Sequence, residues 1–205
     1  MRIGWNKLFK MKKEQKQKAY DKNKKIADST TDSLGKHIDD GIKDLCIILN
    51  TIGFRTNGSC EGHLKWGELC PWVDITYREA QDDYIEWSKE YDRVEKIEKS
   101  GKGNPKTMYK ELHRLRAVKE KKLSKICIKI EDLLKEFYKK RGEIKDLDSI
   151  ISFDKKATWI RLIPYGSGLQ MARNLREREF ALEKYHKEFS DFKKFLEDKY
   201  FGANR

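Results

Sequence analysis

The sequence has few of the residues that cross-link small secreted proteins or interrupt helices. Its 205 residues include four cysteines and three prolines. The cysteines form no CxxC pair and are too sparse for a disulfide framework. The first 25 residues also lack the apolar segment of a secretory signal. These absences predict a cytoplasmic protein with reduced thiols.

Long apolar runs and internal repeats are also missing. No stretch approaches the ~20 consecutive apolar residues that a membrane-spanning helix needs, so we expect no membrane span. Charged residues make up 39% of the chain and hydrophobic residues 38%, but aromatic residues still reach 11%. A disordered chain would have fewer groups able to bury apolar surface. The composition therefore indicates a folded protein with a modest core and a charged exterior.

The positive charge is concentrated at the start of the chain. The net charge is +12, and the first 25 residues contain ten basic and two acidic side chains. We therefore predict a basic N-terminal arm over residues 1–30 and a single, mildly basic domain over 31–205. The arm is interpreted as a solvated surface segment, as a contact for RNA or DNA phosphates, or as a helix on a membrane surface. The apolar side of that last helix would hold Trp5, Leu8 and Phe9.

Apolar residues at three- and four-residue spacing predict four helices, over residues 32–52, 79–99, 105–140 and 169–200. A glycine- and proline-containing break separates the second helix from the third. Residues 79–141 are therefore expected to form a long antiparallel helical hairpin. Such a hairpin also offers a surface on which a partner or a second copy of the chain could bind.

The first and last of these helices have recognisable ends. Thr31 or Asp32 would cap the first, whose apolar stripe begins at Leu34, and Gly53 stands where glycine commonly follows a helix. The apolar stripe of the last helix begins at Leu175. Both helices are expected to bury these stripes in the core.

Alternating apolar and polar residues predict a strand over 72–77 and a β-hairpin over 149–163. In the first of these, Val73 and Ile75 would share one face. A few short strands beside several long helices indicate an α+β fold, mostly helical, with a small antiparallel sheet.

A glycine-rich loop with reactive side chains is predicted over Gly53–His63, in the sequence GFRTNGSCEGH. Glycine allows the backbone to approach a ligand closely, and loops carried on rigid elements often hold functional residues. This stretch is therefore the candidate site.

Two kinds of chemistry could use the cysteine of this loop. Cys60, His63 and Cys70 have zinc-binding side chains, but a structural zinc site takes four ligands and no fourth is evident. Cys60 and His63 could also form a thiolate–imidazole pair, but the sequence shows no third group to orient them. Neither set is complete, so the sequence predicts no catalytic residue, metal ligand or cofactor, and zinc stays an open alternative.

A phosphate-binding site is the third interpretation. A second glycine loop, 164–168, precedes the last predicted helix, and helix N-termini favour anions. Arginines lie on the preceding strand and in the first turns of that helix. If the two loops meet, they would hold a nucleotide or an RNA segment. The predicted ligand-binding residues are Arg55, Thr56, Ser59, Cys60, Glu61, His63, Arg161, Tyr165, Arg173 and Arg176.

The stretch Leu49–Ile75 resembles a group of uncharacterised bacterial and phage proteins. They share an apolar helix, a T-x-x-S-C-E-G-H loop, and a strand that begins with proline, an aromatic residue and valine. The C-terminal sequence EFSDFKKFLEDKYF resembles their last helix. This resemblance implies a shared site but no particular reaction, and it is compatible with a phage-type protein that sequesters a nucleotide.

A shorter resemblance is to the tRNA wybutosine-synthesising protein 3 family, which carries a T-S-S-C-S-G-R loop after a helix. Ser59, Cys60 and Gly62 match that loop, whereas Glu61 and His63 replace its serine and arginine. Members of that family are methyltransferases that act on tRNA with S-adenosylmethionine. The resemblance implies an RNA-modifying enzyme as the alternative to a binding protein. A protein that works through the helical hairpin is the remaining alternative.

Overall fold

The computed structural model describes residues 8–65, 67–101, 104, 107, 109–142, 146–156 and 158–202. Trp5 and the predicted helix start at 105–106 lie outside the described residues. The fold is α+β and mostly helical, with a small antiparallel sheet, as predicted.

Five α-helices account for most of the described chain, and two short 3₁₀ segments lie near the sheet. No helix in the described ranges combines the length and apolar character needed to cross a bilayer. The helices are α1 (Lys13–Ser29), α2 (Asp40–Thr51), α3 (Ala80–Lys99), α4 (Lys110–Arg141) and α5 (Leu175–Phe201). The 3₁₀ segments are Leu147–Ser149 and Tyr165–Ala172.

The sheet has four strands in the order β1-β2-β4-β3, and every neighbouring pair is antiparallel. Its two edges are therefore β1 and β3. The predicted strand and β-hairpin are confirmed as β2 and as β3 with β4. The strands are β1 (Arg55–Cys60), β2 (Trp72–Thr76), β3 (Ile151–Lys155) and β4 (Ile160–Pro164).

One face of the sheet packs against α2, α4 and α5 to form the main core. Val73 and Ile75 point into it and are fully buried, as the alternation of β2 predicts. Burying a side chain of this size contributes about 1.5–3 kcal/mol. The helices contribute Ile48, Leu49, Ile130, Phe192 and Leu196.

The described part of the basic N-terminal segment is a helix that packs on the rest of the fold. Helix α1 contacts α2 and α5. The ammonium of Lys16 lies 5.4 Å from the ring centre of Tyr200, and the tyrosine hydroxyl donates to the Lys16 carbonyl at 3.4 Å. Phe9 meets the same ring edge-on. The remaining lysines of α1 keep its outer surface basic.

The predicted helical hairpin is confirmed as α3 and α4. Val94 and Leu112 form a small buried cluster between them, with Trp87 packed against it. Lys122 and Asp83 form an ion pair at 2.6 Å that also joins the two helices. The apolar contact is narrow because both helices carry charged residues on either side of it.

The first helix begins later than predicted, since α2 starts at residue 40 and not 32. The side chain of Asp32 accepts hydrogen bonds from the backbone of Leu34 and Lys36, and so stabilises a turn. Aspartate often competes with helix formation in this way. Leu34 is 83% exposed and does not join the core. The helix end is as predicted, and Gly53 has a positive φ of 95°.

The last helix also starts later, at residue 175 and not 169. Asn174 and Glu177 form a reciprocal capping box at its N-terminus, and this arrangement fixes where a helix begins. The predicted second glycine loop is the 3₁₀ segment Tyr165–Ala172. Leu175 lies in the exposed first turn and does not reach the core.

The loop predicted over Gly53–His63 is wrong for Arg55–Cys60, which forms strand β1. Its pairing with β2 contains an irregularity between Thr56 and Gly58. A side chain at Gly58 would lie 3.2 Å from the ring of Trp72. The glycine is thus required for close packing within the sheet and does not mark a flexible loop.

Candidate functional site

Strand β1 borders a cleft of about 820 Å³. The opposite wall consists of the end of α1 and the segment 30–39, and Phe54 and Ile38 supply apolar surface. Because β1 is an edge strand, one side of its backbone faces this wall and not another strand. The volume lies within the range of about 300–1,000 Å³ typical of small-molecule sites.

Two arginines line the cleft on the side of the sheet. Arg55 begins β1 and Arg78 follows β2, and Arg55 Nη1 donates to the backbone carbonyl of Arg78 at 3.1 Å. Neither guanidinium pairs with a carboxylate within the described part of the chain. On the opposite wall, the carboxylates of Asp32 and Asp39 accept backbone hydrogen bonds. The arginine side of the cleft is therefore positively charged.

The hydroxyls of β1 mainly tie the strand to α2. Asn50 donates to Thr56 Oγ1 at 2.7 Å and accepts from the Thr56 backbone at 3.2 Å. The hydroxyls of Ser59 and Thr56 also lie against the thiol of Cys46, whose pKa burial raises to about 11. Cys46 is therefore a packing residue, and the two hydroxyls line the cleft while bonded to α2.

Asp39, Cys60 and His63 come together beside the cleft. Their potential metal-ligating atoms all lie within 4.8 Å of one another. Cys60 is buried, whereas the other two are half-buried and line the cleft. The cluster joins the stretch from the end of β1 to His63 with the residue that precedes α2, two pieces of chain that meet only in the fold.

Glu61 and Gly62, the two residues inside this motif, have structural roles. Glu61 Oε2 accepts from the backbone N–H of Gly41 in the first turn of α2 at 2.9 Å. The Glu61 carbonyl lies 2.6 Å from the imidazole Nε2 of His186. Gly62 has a φ of 87°, and a side chain there would lie 2.7 Å from the carbonyl carbon of Cys70. Together these contacts fix the positions of Cys60 and His63.

The environment of Cys60 does not favour a nucleophilic thiolate. Burial raises the pKa of this thiol, and the nearby Asp39 carboxylate raises it further. A catalytic cysteine needs the opposite shift, because the thiolate is the reactive form. Asp39 is thus the third group that the sequence did not reveal, but it does not activate the thiol.

The zinc pattern of Cys60, His63 and Cys70 is not assembled by the fold. Cys70 packs with Ala181 and Tyr185 in a separate buried cluster, and burial raises its pKa to about 12. In the described residues, the group with metal-ligating geometry contains Asp39 in its place.

Arg161 forms part of the sheet surface. Its guanidinium donates to both carboxylate oxygens of Asp74, at 2.7 and 2.9 Å, and lies 3.8 Å above the ring of Trp72. Glu68 is a second acidic partner at 3.7 Å. These contacts join β2, β4 and the loop between β1 and β2.

Arg173 is similarly held by its own chain. It donates to Asp148 at 2.6 Å and to the Tyr185 hydroxyl at 2.9 Å. A side chain at Gly166 would lie 2.6 Å from the Cβ of Asp148, so this glycine permits close packing. Tyr165 is 71% exposed. The second glycine segment therefore packs closely against its neighbours.

The structure divides the ten predicted ligand-binding residues into three sets. Those that line the cleft are Arg55, Thr56, Ser59 and His63. Those that adjoin it are Cys60 and Glu61. Those that do not line it are Arg161, Tyr165, Arg173 and Arg176. Cleft residues that are not among these ten include His37, Asp39, Asn57, Trp72 and Arg78.

Two of the missed residues had usable sequence signals. Asp39 directly precedes α2, and Arg78 is the second residue after the end of β2. If the ends of α2 and β2 had been predicted correctly, Asp39 would have been placed at a helix start and Arg78 near a strand end.

Compared with known proteins, the chain matches no family model, no curated protein and no solved structure. The resemblances drawn from Leu49–Ile75 therefore stay predictions. The function of this chain has to be argued from the geometry of the cleft.

Proposed function

We propose that the protein binds a phosphate-bearing ligand, either a free nucleotide or a nucleotide of an RNA segment, in the cleft beside β1. The observation that carries this proposal is the pair Arg55 and Arg78. Both guanidiniums line a cleft of nucleotide size, and neither has a carboxylate partner among the described residues.

The contrast with other arginines supports a ligand role for this pair. Arg161 and Arg173 stabilise the fold and each is held by a carboxylate. Arg55 and Arg78 lack such a partner among the described residues, so an anion bound in the cleft would supply the compensating charge. Guanidinium groups suit phosphate because they can donate two parallel hydrogen bonds.

The rest of the cleft suits the other parts of a nucleotide. Ile26 and Ile38 offer apolar surface to a base or sugar ring, and Asn57 and the hydroxyls of Thr30 and Thr31 offer hydrogen bonds. Binding without reaction would remove the nucleotide from solution. This is the phage-type sequestering role with which the resemblance is compatible.

The direct test compares ligand affinity in matched arginine variants. The untagged protein is titrated with a nucleotide panel and followed by native mass spectrometry and calorimetry. Arg55→Gln and Arg78→Gln should each weaken binding about 10- to 100-fold, because a hydrogen bond to a charged group contributes about 1.5–3 kcal/mol. Arg116→Gln, which removes the same charge from α4, should bind like the parent protein. Absence of binding, or equal affinity in all three variants, would overturn the proposal.

The same titration separates a free nucleotide from RNA and from the enzyme alternative. A mononucleotide that binds as tightly as a short oligoribonucleotide identifies the free nucleotide as the ligand, whereas tighter oligonucleotide binding identifies RNA. S-adenosylmethionine belongs in the panel. Saturable binding of that cofactor, lost in His63→Ala, would favour the RNA-modifying enzyme.

A second candidate function is favoured by the surface of the helical hairpin. Tyr84, Ile85 and Tyr91 of α3 are each between 43% and 52% exposed. Such residues are typical of contacts with another protein or a second copy of the chain. A doubled native mass that Tyr91→Glu returns to that of one chain would support this candidate. A single-chain mass would leave homodimerisation without support.

A further inference from the structure

At the start of α2, the residue in the capping position does not cap the helix with its side chain. Asp39 occupies the N-cap position, where an aspartate normally accepts a backbone hydrogen bond from its own helix, yet its side chain makes no such bond. Glu61 accepts from the Gly41 backbone instead. The carboxylate of Asp39 turns away from its helix, accepts from the Glu61 backbone at 3.1 Å and lies beside Cys60 and His63.

We propose that Asp39, Cys60 and His63 bind a divalent transition-metal ion of the zinc class, with a fourth coordination position open to the cleft. Their ligand atoms lie within 4.8 Å of one another. Ligands of a tetrahedral zinc ion lie about 2.0–2.3 Å from the metal and therefore about 3.3–3.8 Å apart. A shift of about an ångström or slightly more, within reach of side-chain rotation, would bring the three atoms to that spacing.

The types of ligand select the kind of metal. A thiolate and an imidazole favour zinc and similar ions, whereas calcium and magnesium require oxygen ligands. Sites with three protein ligands keep a coordination position for water or a substrate, unlike closed structural sites. Asp39 and His63 line the cleft, so the open position faces it.

The surroundings of the cluster match those of metal sites. The backbone N–H of Gly62 donates to Cys60 Sγ at 3.4 Å, which would stabilise a metal-bound thiolate. The backbone N–H of His63 donates to the Glu68 carbonyl at 2.8 Å, which fixes the loop that carries the imidazole. Contacts of this kind orient ligands and strengthen metal binding. The inference does not depend on which ligand occupies the cleft.

The test measures zinc affinity by competition with a chromophoric chelator, on the full untagged chain. The parent protein should bind one equivalent of zinc. Because loss of a residue that only supports a ligand costs about 10–100-fold in affinity, Cys60→Ser and His63→Gln should each cost at least about 100-fold. Cys127→Ser is the matched control, since this half-buried thiol lies on α4, and it should bind zinc like the parent protein.

Two further measurements keep the test decisive if a variant unfolds. Cobalt in the parent protein should give a thiolate-to-cobalt charge-transfer band that persists in Cys127→Ser. Asp39→Asn preserves the shape of the side chain and should weaken zinc binding about tenfold or more. A parent protein that binds no zinc, a cobalt spectrum without the thiolate band, or full zinc affinity in Asp39→Asn would overturn the proposal.

Discussion

Two glycine-bearing segments look alike in sequence but differ in the structure. Cys60–His63 and Tyr165–Arg173 both combine glycine with reactive or basic side chains. In the first segment, Glu61 bonds to the start of α2 and to His186 of α5, while His63 lines the cleft and Cys60 adjoins it. In the second, Arg173 is bound by Asp148 and Tyr185. A site is therefore distinguished by the polar groups that remain for a ligand after the fold has satisfied the rest.

Among the substitutions that test this comparison, replacing Gly62 should have the largest effect on stability. Gly62→Ala would place a methyl group 2.7 Å from a backbone carbon, at a φ of 87°. Backbone strain and overpacking together should lower the free energy of unfolding by about 3 kcal/mol, measured by urea denaturation. Gly168→Ala is the control, since its methyl group would meet no atom within 4 Å. A loss below about 1 kcal/mol in Gly62→Ala would show that this close packing is not required.

Arg173 of the second segment and Arg55 of the cleft should have different effects when replaced. Arg173→Gln removes the ion pair with Asp148 and the hydrogen bond to Tyr185. It should lower the free energy of unfolding by about 1–3 kcal/mol and leave ligand affinity unchanged. Arg55→Gln should weaken ligand binding and leave the free energy of unfolding within about 0.5 kcal/mol of the parent protein. Thermal unfolding measures the stability of both variants, and calorimetry measures their ligand affinity. A variant that loses both stability and affinity would contradict this distinction.

Replacing the glutamate at either of two helix starts should lower the free energy of unfolding by a similar amount. Only one of the two replacements should weaken zinc binding. Glu61→Ala and Glu177→Ala each remove a side chain that caps a helix, α2 and α5 respectively, so each should cost about 1 kcal/mol. Without Glu61, the α2 N-terminus becomes available to Asp39, which would then turn from the cluster. Zinc affinity should therefore fall in Glu61→Ala only, and equal zinc affinity in both variants would refute this role of Glu61.

Acid should slightly weaken an ion pair that lies near the second segment. Lys184, 2.6 Å away, holds the pKa of Asp146 below its usual range. The stabilisation from this pair is therefore complete above about pH 4 and is lost as the pH falls through the lower pKa of the folded state. The loss should be under about 1 kcal/mol because the pair is half-exposed.

Asp146→Asn keeps the hydrogen bond from the Asp148 backbone and removes the charge, so it provides the reference for that pH effect. The parent protein should unfold at a higher temperature than Asp146→Asn at about pH 6, and the difference should shrink at about pH 3. A difference that grows with acid would contradict the direction of the pKa shift.

Elements with a strong periodic pattern were predictable from the sequence. The apolar spacing of α3, α4 and α5 and the alternation of β2 gave the correct element types and many core residues, including Phe192 and Val73. Residues 32–39 were misassigned to a helix because Asp32 bonds to the backbone of its own turn. Strand β1 was missed because its small polar residues show no apolar alternation, and its pairing with β2 makes it a strand.

The candidate site was only partly predictable for a related reason. Cys60 and His63 stand out because they are close together in a motif. Asp39 and Arg78 come from segments that reach the cleft only after α2 and the sheet have packed. Their positions near the ends of predicted elements were visible in the sequence, but their place in the cleft depends on the fold.

The packing of Tyr200 on Lys16 joins residues 184 positions apart. Helix α1 supplies part of one wall of the cleft, and α5 supplies none of the lining. Helix α5 thus helps to set the width of the cleft, because it holds α1 in position without lining the cleft itself. Removing the last turn of α5 would loosen that wall and enlarge the cleft, with every lining residue still present.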